Sequence, residues 1–231
     1  MNIIPINEVF TSPNGEGITT GLMTLFIRTA GCNFAIEGHP CKWNPNENPG
    51  CDTPYAWYPN QCKFSATPEQ LIQEIDKEML IAGIREICLT GGEPLYHNGI
   101  EESIKYWDKK YHLLVETNGS LPIWKSDACW SLDIKCPSSN NAEYNYYQNL
   151  ELLTQKDQVK FIISNRDDFN FARDIVKSRV VLTNVIFQPA WKLLSHAELI
   201  EWVKNDRDIA GIVRIGSQNH KYWYPRRKRG V

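Results

Sequence analysis

Short apolar runs rich in β-branched residues recur along the chain. They occupy residues 22–29, 86–90, 112–117, 129–135, 158–164 and 180–188. Runs of this length, bounded by turn residues, are typical of strands that are buried on both faces. We therefore predict that most of these runs are buried strands.

Two of the stretches between the runs carry the signals of a helix start. Thr67, Pro68 and Gln70 place a capping threonine, a first-turn proline and a reciprocal glutamine before "LIQEIDKEML". Ser195 and Glu198 repeat the capping pattern before "LIEWVKN". The sequence thus predicts helices that alternate with the strands.

Strand–helix–strand units with short connections favour a parallel sheet, because parallel neighbours need a crossover connection. The predicted fold is α/β, and an open or partial βα barrel fits it best. A doubly wound open sheet would produce nearly the same pattern, so the strand order stays open. We expect a single domain over residues 1–231, with one long, weakly periodic stretch at about residues 30–67.

Charge and hydropathy narrow the possible partners. The 231 residues carry a formal net charge of −2, whereas nonspecific binding to nucleic acid needs a surplus of Lys and Arg. The N-terminus has no basic segment followed by an apolar run, and no stretch approaches the roughly 18 apolar residues that span a bilayer. We expect a cytoplasmic protein with no direct nucleic-acid partner and no membrane contact.

The cysteines are odd in number and unevenly spaced, which disfavours a disulfide framework. Three of them lie in or beside apolar runs, where cysteine usually packs as a small hydrophobe. The other four lie in the long stretch, where they raise the possibility of a metal site. The seven are Cys32, Cys41, Cys51, Cys62, Cys88, Cys129 and Cys136.

Thiolates suit either zinc or an iron–sulfur cluster. Structural zinc usually takes Cys-x2-Cys pairs, and none of the gaps here has that form. Three cysteines can instead hold three irons of a [4Fe-4S] cluster and leave the fourth iron for a small molecule. The next predicted strand ends in "LTGGEPL", whose glycines admit a ligand near the backbone. We favour an iron–sulfur site, and a noncatalytic zinc module is the alternative of a different class.

The order of "GCN" after the first predicted strand and "GGEP" after the second resembles the radical S-adenosylmethionine superfamily. Further motifs resemble the 7-carboxy-7-deazaguanine synthase family in particular, from about Glu8 to the C-terminus. They are "NGEG", "CDTPYAW", "ETNGS", "VKFIIS", "FQPAW" and "HKYW". Another radical enzyme, such as a glycyl-radical activating protein, would share the cysteine loop but not "NGEG", "CDTPYAW" and "HKYW".

The resemblance implies a lyase of deazapurine biosynthesis that contracts the ring of 6-carboxy-5,6,7,8-tetrahydropterin to 7-carboxy-7-deazaguanine and releases ammonia. It implies a [4Fe-4S] cluster, S-adenosyl-L-methionine and Mg2+ as cofactors. The implied partners are a flavodoxin-type or ferredoxin-type electron donor and a second copy of the chain in a homodimer. No side chain is implied to act as a catalyst beyond the cofactor radical.

The resemblance also implies the cluster ligands. The motifs "GCN" and "CDT" identify Cys32 and Cys51 as two of the ligands. The usual Cys-x3-Cys-x2-Cys spacing is missing, because Asn48 stands three residues before Cys51. The third ligand is then Cys41 or Cys62. We favour Cys41, which lies between the two anchors, while Cys62 is open to interpretation as a packed thiol.

The remaining site residues follow from matching motifs. Arg28 is expected to bind the substrate carboxylate through its planar guanidinium, with a surface ion pair as the alternative, and Thr53 to bind Mg2+. Other expected substrate contacts are Pro13, Asn14, Gly15 and Thr90. Expected contacts to S-adenosylmethionine are Gly91, Gly92, Glu93, Asp133, Ile134, Lys135, Gln188, Pro189, Ala190 and Trp191.

Overall fold

A computed structural model describes residues 2–41, 51–178, 183–224 and 229–230. Its strands are β1 (Ile4–Pro13), β2 (Met23–Thr29), β3 (Phe64–Ala66), β4 (Glu86–Gly91), β5 (His112–Thr117), β6 (Cys129–Ile134), β7 (Gln158–Ile163), β8 (Asn184–Pro189) and β9 (Val213–Ile215). Its α-helices are α1 (Asn33–Ile36), α2 (Pro68–Ala82), α3 (Ile100–Trp107), α4 (Arg166–Ser178), α5 (His196–Lys204) and α6 (Asn219–Trp223). None of the helices in these residues has the length and apolarity that crossing a membrane would require.

The nine strands of the described residues belong to one sheet in the order β3-β1-β2-β4-β5-β6-β7-β8-β9. From β2 to β9 every neighbouring pair is parallel, whereas β1 runs antiparallel to both β2 and β3. The order follows the chain from β4 to β9 without the reversal that defines a doubly wound sheet. The predicted α/β fold is confirmed as a single-domain, open, mostly parallel sheet.

Each of the six predicted runs contains a strand, from β2 and β4 through β8. The beginning of the last run, residues 180–182, lies outside the described residues. The strands β1, β3 and β9 were not predicted, and β3 lies inside the stretch interpreted as a loop. A register shift between Ile6 and Glu8 interrupts the alternation of β1, and β3 and β9 have three residues each, too few for a recognisable period.

Both predicted helix starts are confirmed. At α2 the Gln70 backbone N–H donates to Thr67 Oγ1 (3.3 Å), and the Thr67 N–H donates to Gln70 Oε1 (3.0 Å). This reciprocal pair satisfies two backbone donors that the helix start leaves free. At α5 the Glu198 N–H donates to Ser195 Oγ (3.1 Å).

Strand alternation gives the sheet two different faces. On the outer face, side chains such as Val159, Phe161 and Ile163 of β7 join the main core with apolar residues of α2, α3, α4 and α5. On the inner face, Phe26, Cys88 and Leu114 form a small separate apolar cluster. The next inner-face positions of β2, β4 and β5 are Arg28, Thr90 and Glu116, so polar chemistry begins directly beyond this cluster.

Candidate active site

The cysteine loop begins where β2 ends. The Gly31 N–H donates to Ala56 O (2.8 Å) and the Cys32 N–H donates to Trp57 O (2.9 Å), so the segment that follows Cys51 returns to the start of the loop. Cys32 and Cys41 belong to one packed group with Phe34, Ala35 and Trp57. The structure therefore brings the beginning, middle and end of the loop together.

Three thiols of this loop influence one another electrostatically. Burial raises the pKa of Cys32 to about 12, and Cys41 and Cys51 contribute to that rise. Burial likewise raises the pKa of Cys41 to about 11, although Lys135 opposes the shift. All three are free cysteines, and metal binding would displace the protons of Cys32 and Cys41. This donor set suits three irons of a cluster.

Cys62 lies apart from this group in its contacts. Its Sγ is 3.6 Å from Ser65 Oγ at the start of β3. Cys41 instead packs in one group with Cys32. The contacts of the described residues thus associate Cys41, rather than Cys62, with Cys32.

The two glycines at the end of β4 allow a close approach within the protein. A Cβ atom on Gly91 would lie 2.2 Å from Thr29 Oγ1, and one on Gly92 would lie 2.3 Å from Gly31 O. The Gly92 N–H donates to Thr29 O (3.2 Å). Hence the turn packs directly on the cysteine loop. Because protein atoms already occupy the positions of the missing Cβ atoms, a ligand would contact the peptide groups of the turn.

Glu93 is fully buried, and both of its carboxylate oxygens accept hydrogen bonds from nearby protein groups. Its Oε1 accepts hydrogen bonds from Leu95 N (3.0 Å) and Thr117 Oγ1 (2.9 Å), and its Oε2 accepts one from Asn118 N (2.6 Å). Burial raises the pKa of this carboxyl to about 7 despite these donors. In the described structure Glu93 joins the ends of β4 and β5.

A layer of polar side chains covers the inner face next to the turn. The Thr90 hydroxyl donates to Glu116 Oε2 (2.9 Å). Lys160 Nζ lies 3.0 Å from Glu16 Oε2 and 3.6 Å from Asp133 Oδ1, and Lys135 Nζ lies 3.1 Å from Asp133 Oδ2. Side chains from β6, β7 and the β1–β2 loop therefore form one ion-pair network, and the charge of Lys160 also acts on Glu116 of β5.

Glu16 is the most heavily bonded carboxylate of this network. Gln188 Nε2 donates to its Oε2 (3.1 Å) and Gln218 Nε2 to its Oε1 (2.9 Å). Burial raises the pKa of Glu16, but Lys160, His220 and the two amides outweigh it and hold the pKa at about 2. Burial lowers the pKa of Lys160, while Asp133 and Glu16 raise it well above its ordinary value. Both members of the pair are therefore charged at neutral pH.

Arg28 is largely removed from solvent, so it is not a surface ion pair. Its Nε donates to Glu8 Oε1 (2.9 Å), and the two side chains are 11% and 4% exposed. The guanidinium carbon lies 5.9 Å from the ring centre of Phe10 and 5.8 Å from that of Tyr55. Among the described residues only Glu8 hydrogen-bonds this guanidinium, and it uses Nε, so the two terminal nitrogens can serve another acceptor.

The loop of the other predicted substrate contacts is held by the chain itself. Asn14 Nδ2 donates to Thr19 Oγ1 (2.8 Å), and Asn14 Oδ1 accepts from Glu16 N (3.0 Å). A Cβ on Gly15 would lie 2.6 Å from His220 Nδ1. Pro13 is the last residue of β1. This loop thus positions Glu16, which the sequence analysis did not single out.

The predicted cofactor contacts at the ends of β6 and β8 differ in exposure. The Ile134 side chain lies in the main core, and the buried Ala190 donates its N–H to Ile163 O (2.8 Å), so only peptide groups of these two could reach a ligand. Pro189 ends β8, and Trp191 is 36% exposed and contacts Tyr222 edge-on at 5.1 Å. At these positions the protein offers backbone groups and an aromatic surface at the ends of β6 and β8.

Thr53 lies beside the proposed cluster ligands. Its Oγ1 is 3.5 Å from Cys51 Sγ, and it precedes the turn of 3-10 helix at Pro54–Ala56. Asp52, which precedes Thr53 in the chain, belongs with Glu16 and His220 to a group whose possible ligand atoms lie within 4.8 Å of one another. The two carboxylates of this group have the oxygen atoms that a hard cation prefers.

Glu16, Glu116 and Lys160 were not predicted to be site residues. Each lies within a motif that carried the family resemblance: "NGEG", "ETNGS" and "VKFIIS". A single charged residue inside an apolar strand was a usable signal for Lys160, because alternation places it opposite Val159 and Phe161. Nothing in the sequence linked it to Glu16.

The fold and the site together define an open βα-barrel protein with a three-thiol loop at the C-terminal ends of its strands. The structure of QueE from Escherichia coli has this fold, with a TM-score of 0.70 and 21% identity over 94% of this chain and 95% of that chain. No protein-family model matches the chain.

The chain is 30% identical over 233 residues to the 7-carboxy-7-deazaguanine synthase of Leptospira interrogans, with 94% of each chain covered. It is also 30% identical over 233 residues to the synthase of Clostridium acetobutylicum, with 97% of each chain covered. The chain belongs to the 7-carboxy-7-deazaguanine synthase family, as its motifs predicted.

Proposed function

We propose that the chain is a radical S-adenosylmethionine lyase that converts 6-carboxy-5,6,7,8-tetrahydropterin to 7-carboxy-7-deazaguanine with loss of ammonia. Two curated synthases match the chain over almost their whole length. The observation that carries the proposal is the loop of three free thiols, in which Cys41 packs with Cys32 and the segment after Cys51 returns to the start of the loop beside the glycine turn. A structural zinc module would need a fourth ligand, and the contacts of Cys62 favour no such role.

Cys32, Cys41 and Cys51 would hold the cluster, and the peptide groups of Gly91 and Gly92 would lie next to it. When bound, the cluster and S-adenosylmethionine together supply a 5′-deoxyadenosyl radical, which abstracts hydrogen from the substrate. Such a radical reacts with most C–H bonds, so the site must hold the substrate in one orientation and exclude other reactants. The protein contributes these two functions.

Arg28 would bind the substrate carboxylate through its two terminal nitrogens, because Glu8 already orients the guanidinium through Nε. The network of Glu16, Asp133 and Lys160 would present fixed charges to the polar ring of the pterin. These charges are arranged before the substrate binds, so little reorganisation is needed. The apolar cluster of Phe26, Cys88 and Leu114 lies next to this polar layer, towards the N-terminal ends of β2, β4 and β5.

Further parts of the proposal complete this function. Thr53 would supply a hydroxyl ligand to Mg2+, which commonly keeps few protein ligands and also binds substrate oxygens. A flavodoxin-type or ferredoxin-type protein would supply the electron, and the chain would act as a homodimer. One domain would comprise residues 1–231, including the cluster loop at about 30–67.

The decisive assay uses anaerobically reconstituted protein with S-adenosylmethionine and the carboxytetrahydropterin. We expect about four irons per chain with sulfide and a broad brown absorption. Mass spectrometry should then detect 7-carboxy-7-deazaguanine and 5′-deoxyadenosine. Colourless protein that contains zinc and forms neither product would contradict the proposal.

The choice of the third ligand is tested with two matched variants. Cys41→Ala should lose both the cluster and the activity, because it removes one of the three proposed cluster ligands. Cys62→Ala is the control and should keep both, since its thiol contacts Ser65 instead. Iron analysis and the product assay distinguish the two. The opposite result would assign the third ligand to Cys62.

A further inference from the structure

The side chain of Asn141 lies directly beside Cys41. It is fully buried, in the turn between the short 3-10 helices Pro137–Ser139 and Ala142–Tyr144 that follow β6. Its amide nitrogen Nδ2 donates a hydrogen bond to Cys41 Sγ over 3.6 Å. A nitrogen donor is therefore in place at one of the three thiols.

Two neighbours fix the orientation of this amide. Asn141 Nδ2 also lies 3.0 Å from the carbonyl oxygen of Ser139, which can only accept a hydrogen bond. On the other side, Asn141 Oδ1 lies 3.0 Å from His39 Nδ1, which then donates. Flipping the amide would set two acceptors against each other at Ser139, so Nδ2 must face the sulfur.

The amide is also supported before any ligand binds. The Asn141 backbone N–H donates to Ser139 Oγ (3.3 Å), and that hydroxyl donates to Cys136 O (2.6 Å). The His39 ring stacks on Tyr144 with a centroid distance of 4.5 Å and an interplanar angle of 2°. The donor therefore has a fixed position relative to Cys41, as expected of a residue that orients a metal ligand.

We propose that Asn141 raises the reduction potential of the cluster by donating its amide N–H to the sulfur of Cys41. The inference rests on the proposed function, because it requires Cys41 to be a cluster ligand. Hydrogen bonds to the sulfurs are among the factors that set cluster potentials.

The direction follows from charge. When the cluster takes up one electron from an external one-electron reductant, its thiolates become more negative, and a donor to sulfur stabilises this reduced form more than the oxidised form. Asn141 thus makes the reduction that precedes cleavage of S-adenosylmethionine easier. It is a positioning and tuning residue, and it does not touch the substrate.

The test compares Asn141→Ala and the nearly isosteric Asn141→Asp with Asn140→Gly. Asn140 is an exposed neighbour with a positive φ of 58°, which glycine adopts easily, so its replacement controls for changes in the turn. Each reconstituted protein is analysed for iron and titrated with dithionite while the reduced cluster is followed by electron paramagnetic resonance.

At a fixed potential we expect the ratio of reduced to oxidised cluster to fall about tenfold in Asn141→Ala, a midpoint shift of ~59 mV to lower potential. Asn141→Asp should shift further in the same direction, because it replaces the donor with an acceptor. Asn140→Gly should match the wild type.

An unchanged midpoint in Asn141→Ala with wild-type iron content would overturn the inference. Loss of the cluster from both Asn141 variants would also overturn it, because that result would assign Asn141 to holding the cluster rather than tuning it. Failure of the proposed function is a separate outcome: there the wild-type protein itself assembles no cluster. If Cys41→Ala keeps the cluster, the inference fails while the function stands.

Discussion

The outer face of the sheet buries apolar side chains that pack together, whereas the inner face buries charged side chains that are paired. On β7, Phe161 is 1% exposed and packs edge-on against Phe187 at 5.4 Å, whereas Lys160 is 6% exposed and pairs with Glu16 and Asp133. Their exposures are nearly equal, so the difference lies in the partners. Apolar packing on the outer face is non-directional, while the inner charges need specific partners. We therefore expect the outer face to contribute mainly to stability and the inner face mainly to chemistry.

The strongest test of this division is Lys160→Met. It leaves Glu16 and Asp133 without their shared cation in a buried site, which typically costs about 3–5 kcal/mol. We also expect turnover of the folded, cluster-loaded enzyme to fall at least ~100-fold, because a fixed charge next to the substrate is lost. Urea unfolding and product formation measure the two effects. Wild-type turnover would show that the inner network is structural only.

The matched change on the outer face is Phe161→Ala. Removal of this buried ring should cost about 3–5 kcal/mol of unfolding free energy, through lost burial and the cavity that remains. Turnover per folded, cluster-loaded chain should stay near the wild-type value, because Phe161 faces the helices. Urea unfolding combined with an assay normalised to iron content tests this. A large loss of turnover in well-folded protein would mean that the two faces are coupled.

Glu93 is fully buried just beyond the C-terminal end of β4, and its raised pKa predicts a pH effect on stability. Its pKa is raised from 4.5 to about 7, chiefly by burial, so the stability it contributes is complete below pH 4.5 and is lost as pH rises through 7. The loss should be at most about 3 kcal/mol. Glu16 acts in the opposite sense, since its lowered pKa affects stability only as pH falls from 4.5 towards 2.

Urea unfolding between pH 5 and 8 therefore reports on Glu93 without a contribution from Glu16. Glu93→Gln is the control, because it cannot titrate and should have a flatter profile in this range. It should also be less stable at pH 5, since its amide nitrogen faces a donor at Leu95, Thr117 or Asn118. Parallel profiles for the two proteins would contradict the assignment.

The smallest effect is expected at Thr53, two residues before Tyr55, whose ring lies against Arg28 on the inner face. Thr53→Ala should raise the Mg2+ concentration for half-maximal activity roughly tenfold, equivalent to about 1.4 kcal/mol. Thr53→Ser keeps the hydroxyl and should respond to Mg2+ like the wild type. Steady-state assays over a range of Mg2+ concentrations measure both. An unchanged metal dependence in Thr53→Ala would remove Thr53 from the metal site.

Features that depend on near neighbours in sequence were predictable. The strands β2 and β4 through β8 are continuous apolar runs, and the start of α2 is set by contacts between Thr67 and Gln70. The motifs around Cys32 and Cys51 were equally local. By contrast, the register shift in β1 interrupts its alternation of apolar and polar residues. Its two neighbours in the sheet, β2 and β3, also lie at different distances along the chain. The local apolar pattern therefore did not predict β1, which is recognisable as a strand only from its pairing with β2 and β3.

By itself the sequence determined the α/β class, the family and the cysteine-rich loop, because each depends on residue type and short spacing. Only the tertiary structure decided the strand order, the packing of Gly92 on Gly31 and the meeting of Lys160 with Glu16, 144 residues apart. Alternation along a strand tells which face a side chain occupies. Which side chains meet there depends on how all the strands are ordered around the inner face, and no local pattern encodes that order.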